Sequence, residues 1–104
     1  MKPYSRKRAI PSASRLAVAL REGLTAPNVP VDVRCAYCDA IGQVNWDLRP
    51  GQEAGWVQTI GLEFDHIVPE HLGGDGSPDN LALACRSCNR SKGHKTMSEW
   101  LCKR

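Results

Sequence analysis

The sequence LEFDHIVPEHLGGDGSPDNLALACRSCNRSK, residues 62–92, decides the fold, because strand, loop and helix patterns follow one another within it. The residues WVQTIGLEF (56–64) favour a strand or a hairpin bent at Gly61, because β-branched and aromatic side chains dominate them. Residues 69–80 contain three glycines and two prolines and predict a loop. LALA (81–84) predicts the second strand, and the polar run after it is consistent with a helix.

Sequence patterns on either side of this stretch predict two further helices. The first begins at Ser12 and ends near Gly23 and Pro27, with one apolar face formed by Leu16, Ala17, Leu20 and Leu24. The second follows Thr96, which with Glu99 forms a capping-box pattern. No regular element is predicted for the remaining segments, which are a flexible basic arm (1–11), an extended linker (25–34) and an irregular insert (39–55).

Four of the five cysteines form two CxxC pairs, Cys35/Cys38 and Cys85/Cys88. Two thiolates three residues apart can converge on one ion, and two such pairs complete the tetrahedron of a structural zinc site. The alternatives are a redox CxxC motif or unrelated thiols. Because the first residues are basic and polar, without the apolar core of a secretory signal, we expect an intracellular protein in which paired CxxC motifs bind zinc. Cys102 is left over as a free thiol.

Charge is segregated along the chain, although the total of 104 residues carries only +3. The net charge is +5 over residues 1–34, −7 over residues 35–84 and +5 over residues 85–104. Basic ends around an acidic middle suit a protein that binds a polyanion and coordinates cations centrally. Chance together with a basic tail is the alternative explanation. No apolar run approaches the length of about 20 residues that a membrane span needs.

His66 is the best candidate for a general base, because an imidazole titrates near neutral pH. Asp65 directly precedes it at the end of the expected strand. Successive strand residues point to opposite faces, so one of the two can hold a cation while the other faces a water molecule. Alone, however, an Asp-His pair carries little weight, because a single histidine at a strand end is more often structural.

The sequence around Asp65 and His66 resembles the HNH endonuclease family. The resemblance extends through the strand, the DHIVP turn, the Gly-Gly loop, Asn-Leu and the CxxCN start of the helix. The resemblance implies a small α+β protein with the ββα-metal (His-Me finger) nuclease fold, stapled by a four-cysteine zinc site and preceded by an N-terminal helix. It places the nuclease domain at residues 35–104, after the arm (1–11) and a helix with linker (12–34). By family role His66 is the general base, Asp65 and Asn89 are the cation ligands, and Asn80 ties down the loop and orients the base.

The resemblance also implies the reaction and its cofactors. The chain is expected to hydrolyse DNA phosphodiester bonds by attack of a water molecule that His66 activates, with one divalent cation bound. An aspartate and an asparagine form an all-oxygen ligand pair, which favours Mg²⁺ or Mn²⁺ over zinc at this second site. His94 is an alternative to Asn89, but the two are five residues apart on the expected helix and therefore point apart.

Basic residues around the second CxxC pair are the expected DNA contacts, namely Arg86, Arg90, Lys92, His94 and Lys95. The arm residues Arg6, Lys7 and Arg8 extend this surface along the backbone or into a minor groove, and His71 is expected to be an exposed loop residue. A solvated surface charge is the alternative for each of them. The expected substrate is double-stranded DNA, and binding should weaken with salt.

Two further alternatives concern the role of the chain. The first is a zinc-dependent DNA-binding or adaptor module without catalysis, which would not need Asp65, His66, Asn80 and Asn89 together. The second is a nuclease that serves a larger complex, since short HNH chains resemble those encoded by bacteriophages beside DNA-packaging genes, and others act in restriction or homing. We expect a cytoplasmic protein of a bacterium or a phage-infected cell, without membrane association.

Overall fold

The computed structural model describes residues 10–102, except the side chain of Cys102. The expected arm residues Arg6, Lys7 and Arg8 therefore lie outside the described part. The elements, in chain order, are α1 (Ser12–Arg21), β1 (Val31–Arg34), β2 (Ile41–Asp47), β3 (Trp56–Ile60), β4 (Glu63–His66), 3₁₀ turns at Glu70–Leu72 and Pro78–Asn80, β5 (Leu81–Ala84), α2 (Arg86–Lys92) and α3 (Met97–Cys102). In this part of the chain no helix has the length and apolar character of a membrane span.

The strands form two antiparallel sheets. The first has the order β1-β2-β3, and the second is the β4–β5 hairpin, in which Asp65 is opposite Ala82 and His66 is opposite Leu81. The expected hairpin bent at Gly61 is therefore wrong, because β3 and β4 belong to different sheets. Gly61 has φ of 77°, a left-handed value that suits glycine at this turn between them.

Strand β2 corrects the expectation of an irregular insert at 39–55. The alternation of apolar and polar residues that marks a strand is not visible in β2, because the inward-facing residue 42 is a glycine. A Cβ at Gly42 would lie 2.5 Å from both the carbonyl oxygen of Ile60 and Cγ of Leu62. Strand β1 likewise corrects the expected linker at 25–34, since Val31–Arg34 pairs with β2.

Helix α1 begins where the sequence predicts, but its buried face differs from the predicted one. Leu24 is buried as expected, whereas Leu20 is 47% exposed and the helix buries Ser14, Val18 and Ala19 instead. The helix packs on β3, on β5 and on the 3₁₀ turn before β5. The guanidinium group of Arg21 donates to the carbonyl oxygens of Pro78 (3.0 Å) and Leu81 (2.8 Å) and so fixes the start of β5.

The hairpin and α2 together form the ββα unit that the sequence implies, and α3 closes it. Helix α2 packs on β4 and α3 packs on α2. Both bonds of the predicted capping box are present, from Thr96 N to Glu99 Oε1 (2.9 Å) and from Glu99 N to Thr96 Oγ1 (3.1 Å). Trp100 of α3 is buried against the ring of Tyr37, with centroids 5.1 Å apart in an edge-to-face contact.

Candidate active site and zinc cluster

The two CxxC pairs meet at the junction of the sheets. The sulfur atoms of Cys35, Cys38, Cys85 and Cys88 all lie within 4.8 Å of one another, and Cys38 Sγ is 3.6 Å from Cys85 Sγ. Sulfurs held tetrahedrally around zinc at about 2.3 Å are about 3.8 Å apart, so the cluster has the dimensions of a zinc site. The thiols are free rather than joined in disulfides.

Backbone N–H groups point at these sulfur atoms, as a metal-binding thiolate requires. Tyr37 N and Cys85 N donate to Cys35 Sγ at 3.3 and 3.2 Å, and Ala40 N donates to Cys38 Sγ at 3.4 Å. Burial works to raise the pKa of Cys35, but these two donors outweigh it and lower that pKa to about 7. Burial raises the pKa of Cys88 to about 12, helped by hydrogen bonds that its thiol donates to the other cysteines. A second thiolate is thus disfavoured here unless a cation offsets its charge.

Strand β4 presents alternate residues to two different layers. Glu63 and Asp65 point to the side on which α2 packs, whereas Phe64 and His66 point to the opposite side. Asp65 and His66 are 2% and 6% exposed. The two side chains therefore lie on different faces of the hairpin, as the strand period predicts.

The Asp65 carboxylate is part of a buried ionic network. Lys92 Nζ lies 3.2 Å from its Oδ2 and 3.5 Å from its Oδ1, and Tyr37 donates its hydroxyl to Oδ2 at 2.7 Å. Burial and this bond to Asp65 raise the pKa of the Tyr37 hydroxyl, which stays protonated as the donor. Lys92 is 0% exposed and also donates to the backbone oxygen of His66 at 2.9 Å. One ammonium group therefore holds both the side chain of Asp65 and the main chain of His66.

The position of Lys92 differs from the sequence expectation of a direct phosphate contact. Its ammonium group is buried under α2 and neutralised by Asp65, so it is not on the surface that DNA could approach. Arg86 and Arg90 are exposed as expected, and Lys95 donates to the backbone oxygen of Ser91 at 3.1 Å.

Asn80 holds both ends of the loop that follows β4. Its Oδ1 accepts from Val68 N (2.8 Å), and its Nδ2 donates to the carbonyl oxygens of Val68 (3.1 Å) and Asp75 (2.8 Å). Gly74 is required here, because a Cβ would lie 1.7 Å from the Val68 oxygen. The loop is therefore closed tightly beside His66, whose backbone neighbour Ile67 also bonds to Asn80 O at 2.8 Å.

The imidazole ring of His66 has no hydrogen-bond partner among residues 10–101, so its nitrogens remain available to a ligand or water. The nearby loop residue Asp75 bonds to Ser77 instead, through the hydroxyl (2.6 Å) and the backbone N–H (3.1 Å). The pKa of Asp75 is lowered chiefly by these two bonds, with a smaller contribution from the charge of His66. Asp75 is thus an acidic neighbour of His66 that the sequence did not single out.

Asn89 lies on the α2 face that covers β4, and its Nδ2 donates to Glu63 Oε1 at 2.6 Å. Glu63, two residues before Asp65, was also missed, although the strand alternation places it on the same face as Asp65. His94 is not on the helix of Asn89 as expected, because α2 ends at Lys92 and Gly93 has φ of 55°. Its ring instead contacts that of the exposed His71, with centroids 6.0 Å apart.

The antiparallel hairpin, the helix after it and the four-cysteine cluster together form a ββα-metal fold. A family model described as HNH endonuclease matches residues 35–95, more than half of the chain. The chain belongs to the HNH endonuclease family. Nuclease-type activity on nucleic acid follows from this membership, and the cysteine cluster is a metal site of the kind that zinc occupies. No curated protein and no solved structure matched the chain.

Proposed function

We propose that the chain is a metal-dependent endonuclease that hydrolyses phosphodiester bonds of double-stranded DNA. The proposal depends on one observation inside the matched segment, which is that the backbone around His66 is held in place while its imidazole ring has no partner among the described residues. Lys92 holds the backbone oxygen of His66 and Asn80 holds the backbone of the next residue, Ile67, while the His66 ring is left without a partner in the described part of the chain. A preorganised imidazole of this kind suits a general base, which must reach a water molecule rather than a protein group.

In the proposed reaction His66 removes a proton from a water molecule, and the water oxygen forms a bond to phosphorus. The bond from phosphorus to the 3′ oxygen breaks, and the leaving 3′ oxygen takes a proton from solvent water, which gives 5′-phosphate and 3′-hydroxyl ends. Asn80 keeps the loop closed through its contacts with Val68 and Asp75, and so keeps the imidazole at the strand end in one place.

We assign the proposed cation, Mg²⁺ or Mn²⁺, to Asp65 and Asn89. Both are oxygen donors suited to a hard cation, and α2 brings them into one layer, since Asn89 contacts Glu63 and Lys92 contacts Asp65. Both ligands lie on the α2 side of β4, whereas the His66 ring lies on the opposite side. A cation bound there would neutralise the charge on the reacting phosphate only if that phosphate lies at the end of β4, within reach of both sides. Asp65 can serve as a ligand only if it shares its carboxylate with Lys92 or exchanges Lys92 for the cation, because both of its oxygens are engaged.

The proposed DNA surface consists of exposed basic residues at the start of α2 and beyond it. Arg86 and Arg90 are exposed, and Lys95 and His94 follow the helix. Charges of this kind contact phosphates of any sequence, so we expect binding to be salt-sensitive and weakly specific. Lys92 is left out of this surface because it is buried.

A plasmid-relaxation assay with zinc-loaded protein tests the proposal. Supercoiled plasmid is incubated with Mg²⁺, Mn²⁺ or EDTA, using wild type, His66→Ala and His71→Ala. His71 is the matched control, because it is an exposed histidine in the loop that follows His66. We expect cation-dependent conversion to nicked or linear DNA by wild type and His71→Ala, and at least a hundredfold slower conversion by His66→Ala. Equal rates for all three proteins would refute the role of His66.

The buried pairing of Asp65 with Lys92 favours a second candidate, a zinc-dependent DNA-binding module that does not cleave. In that case the carboxylate serves the fold alone. Wild type would then shift labelled duplex DNA in a binding assay but leave plasmid intact with every cation, whereas the nuclease requires both binding and cleavage.

We also propose a setting for the activity. Outside the matched segment, the described residues contribute α1, β1 and α3, of which the two helices pack onto the ββα unit and β1 pairs with β2. A nuclease of this build suits a larger complex in the cytoplasm of a bacterium or phage-infected cell, as in DNA packaging or restriction. Co-purification of tagged protein from such cells, with and without nuclease treatment, would test for a bound complex.

A further inference from the structure

Helix α1 carries an arginine, Arg15, that forms no ion pair with the described residues. The guanidinium carbon of Arg15 lies 5.6 Å from the centre of the Phe64 ring, in a cation–π arrangement. Its Nε is buried without a hydrogen-bond partner. The other arginine of the same helix, Arg21, donates twice to backbone oxygens, so the helix is anchored without Arg15.

The location of Arg15 is as informative as its missing partner. Phe64 and His66 are two residues apart on β4 and point to the same side of the hairpin, about 7 Å apart along the strand. By lying over Phe64, the guanidinium group is on the His66 side of the hairpin, away from Asp65 and Lys92. No acidic side chain within residues 10–101 forms an ion pair with it.

We infer that Arg15 binds a phosphate of the DNA substrate beside His66, which makes α1 part of the active site although it lies outside the matched segment. A partly buried charge without an anion is costly, and a phosphate supplies that anion. Stacking on Phe64 uses the face of the guanidinium plane and leaves the N–H groups at its edge for phosphate oxygens. This inference rests on the proposed function, since His66 marks where the reacting phosphate lies.

Binding measurements separate the inference from a structural role of Arg15. Zinc-loaded protein in the His66→Ala background is titrated against a fluorescein-labelled duplex of about 20 base pairs, at several salt concentrations. The variants are Arg15→Met, which retains packing on Phe64, Arg15→Lys, which retains the charge, and Arg49→Met. Arg49 is the control, because it lies exposed near Asp47 in the turn after β2.

We expect Arg15→Met to weaken binding about 5- to 20-fold and to reduce the slope of log K against log salt by about 1, as the loss of one phosphate contact does. Arg15→Lys should recover part of the affinity and the full slope, and Arg49→Met should change neither. With His66 intact, Arg15→Met should also slow plasmid cleavage.

Thermal unfolding and zinc content of each variant decide whether a loss of binding arises from loss of the fold. Arg15→Met with wild-type affinity and slope overturns the inference, whatever its melting temperature. If wild type binds DNA but shows no His66-dependent cleavage, the proposed nuclease function fails, while a reduced salt slope for Arg15→Met still establishes the phosphate contact.

Discussion

Replacing Lys92 by methionine removes the ammonium group that faces Asp65 while retaining a side chain of similar length. Asp65 would then be a carboxylate at 2% exposure whose remaining partner in the described chain is the hydroxyl of Tyr37. The backbone oxygen of His66 would lose its donor as well. The variant therefore tests whether this ion pair stabilises the strand that carries the candidate base.

The expected cost follows from the burial of both partners. Removing one partner of a buried ion pair costs about 3–5 kcal/mol, because the other charge is left without compensation. The free energy of unfolding of a small domain is about 5–15 kcal/mol, so Lys92→Met should remove a large part of it. In a chain of this size the melting temperature should fall by about 12 °C or more.

Urea unfolding at saturating zinc and under reducing conditions measures this cost, with tryptophan fluorescence as the signal. Trp100 is suited to the purpose because it contacts Tyr37, a member of the network. Asp65→Asn combined with Lys92→Met removes both charges and should cost less than Lys92→Met alone, since no unpaired charge remains. Lys95→Met is the matched control, and it should change stability by less than about 0.5 kcal/mol because Lys95 bonds only to a backbone oxygen at the surface.

Two results would refute the reasoning. The first is a loss of less than about 1 kcal/mol in Lys92→Met, which would mean that Asp65 is solvated or finds another partner when Lys92 is gone. The second is strict additivity in the double variant, since charges in direct contact must show a coupling energy.

Three further predictions concern the fold around the site. Cys85→Ser should abolish zinc binding and the cooperative unfolding transition, measured by metal analysis and circular dichroism, whereas Cys102→Ser, outside both CxxC pairs, should retain both. Asn80→Ala should destabilise the chain by about 2–3 kcal/mol and slow plasmid cleavage, because three backbone groups of the loop lose their partner; unchanged stability would contradict the loop contacts. Gly42→Ala should cost about 1–3 kcal/mol in urea unfolding, since its Cβ would overlap Ile60 and Leu62, while Gln43→Ala, on the exposed face of the same strand, should be neutral.

Elements that depend on local sequence patterns could be predicted, as the hairpin and the last helix show. LALA forms β5 opposite β4, and Thr96 caps α3 through Glu99, because turn and capping residues act within a few positions of one another. The cysteine cluster was equally accessible, since each CxxC pair is itself local.

The features that could not be predicted depend on contacts between residues far apart in the sequence. Strand β2 was missed because Gly42 makes its inward face look empty, and the reason for that glycine is Leu62, twenty positions later. The buried face of α1 was misassigned because Leu20 is more apolar than Ser14, yet the helix buries Ser14 and exposes Leu20. Lys92 looked like a surface charge because Asp65, its partner, is 27 positions away.

Tyr37 lies between the two cysteines of the first CxxC pair and donates its hydroxyl to Asp65, so one phenol joins the metal clamp to the strand of the candidate base. Zinc binding to the four cysteines and the conformation of β4 are therefore thermodynamically coupled, and such coupling acts equally in both directions. Removal of zinc should loosen β4, and a ligand that stabilises β4 should in turn raise the affinity of the four thiolates for zinc.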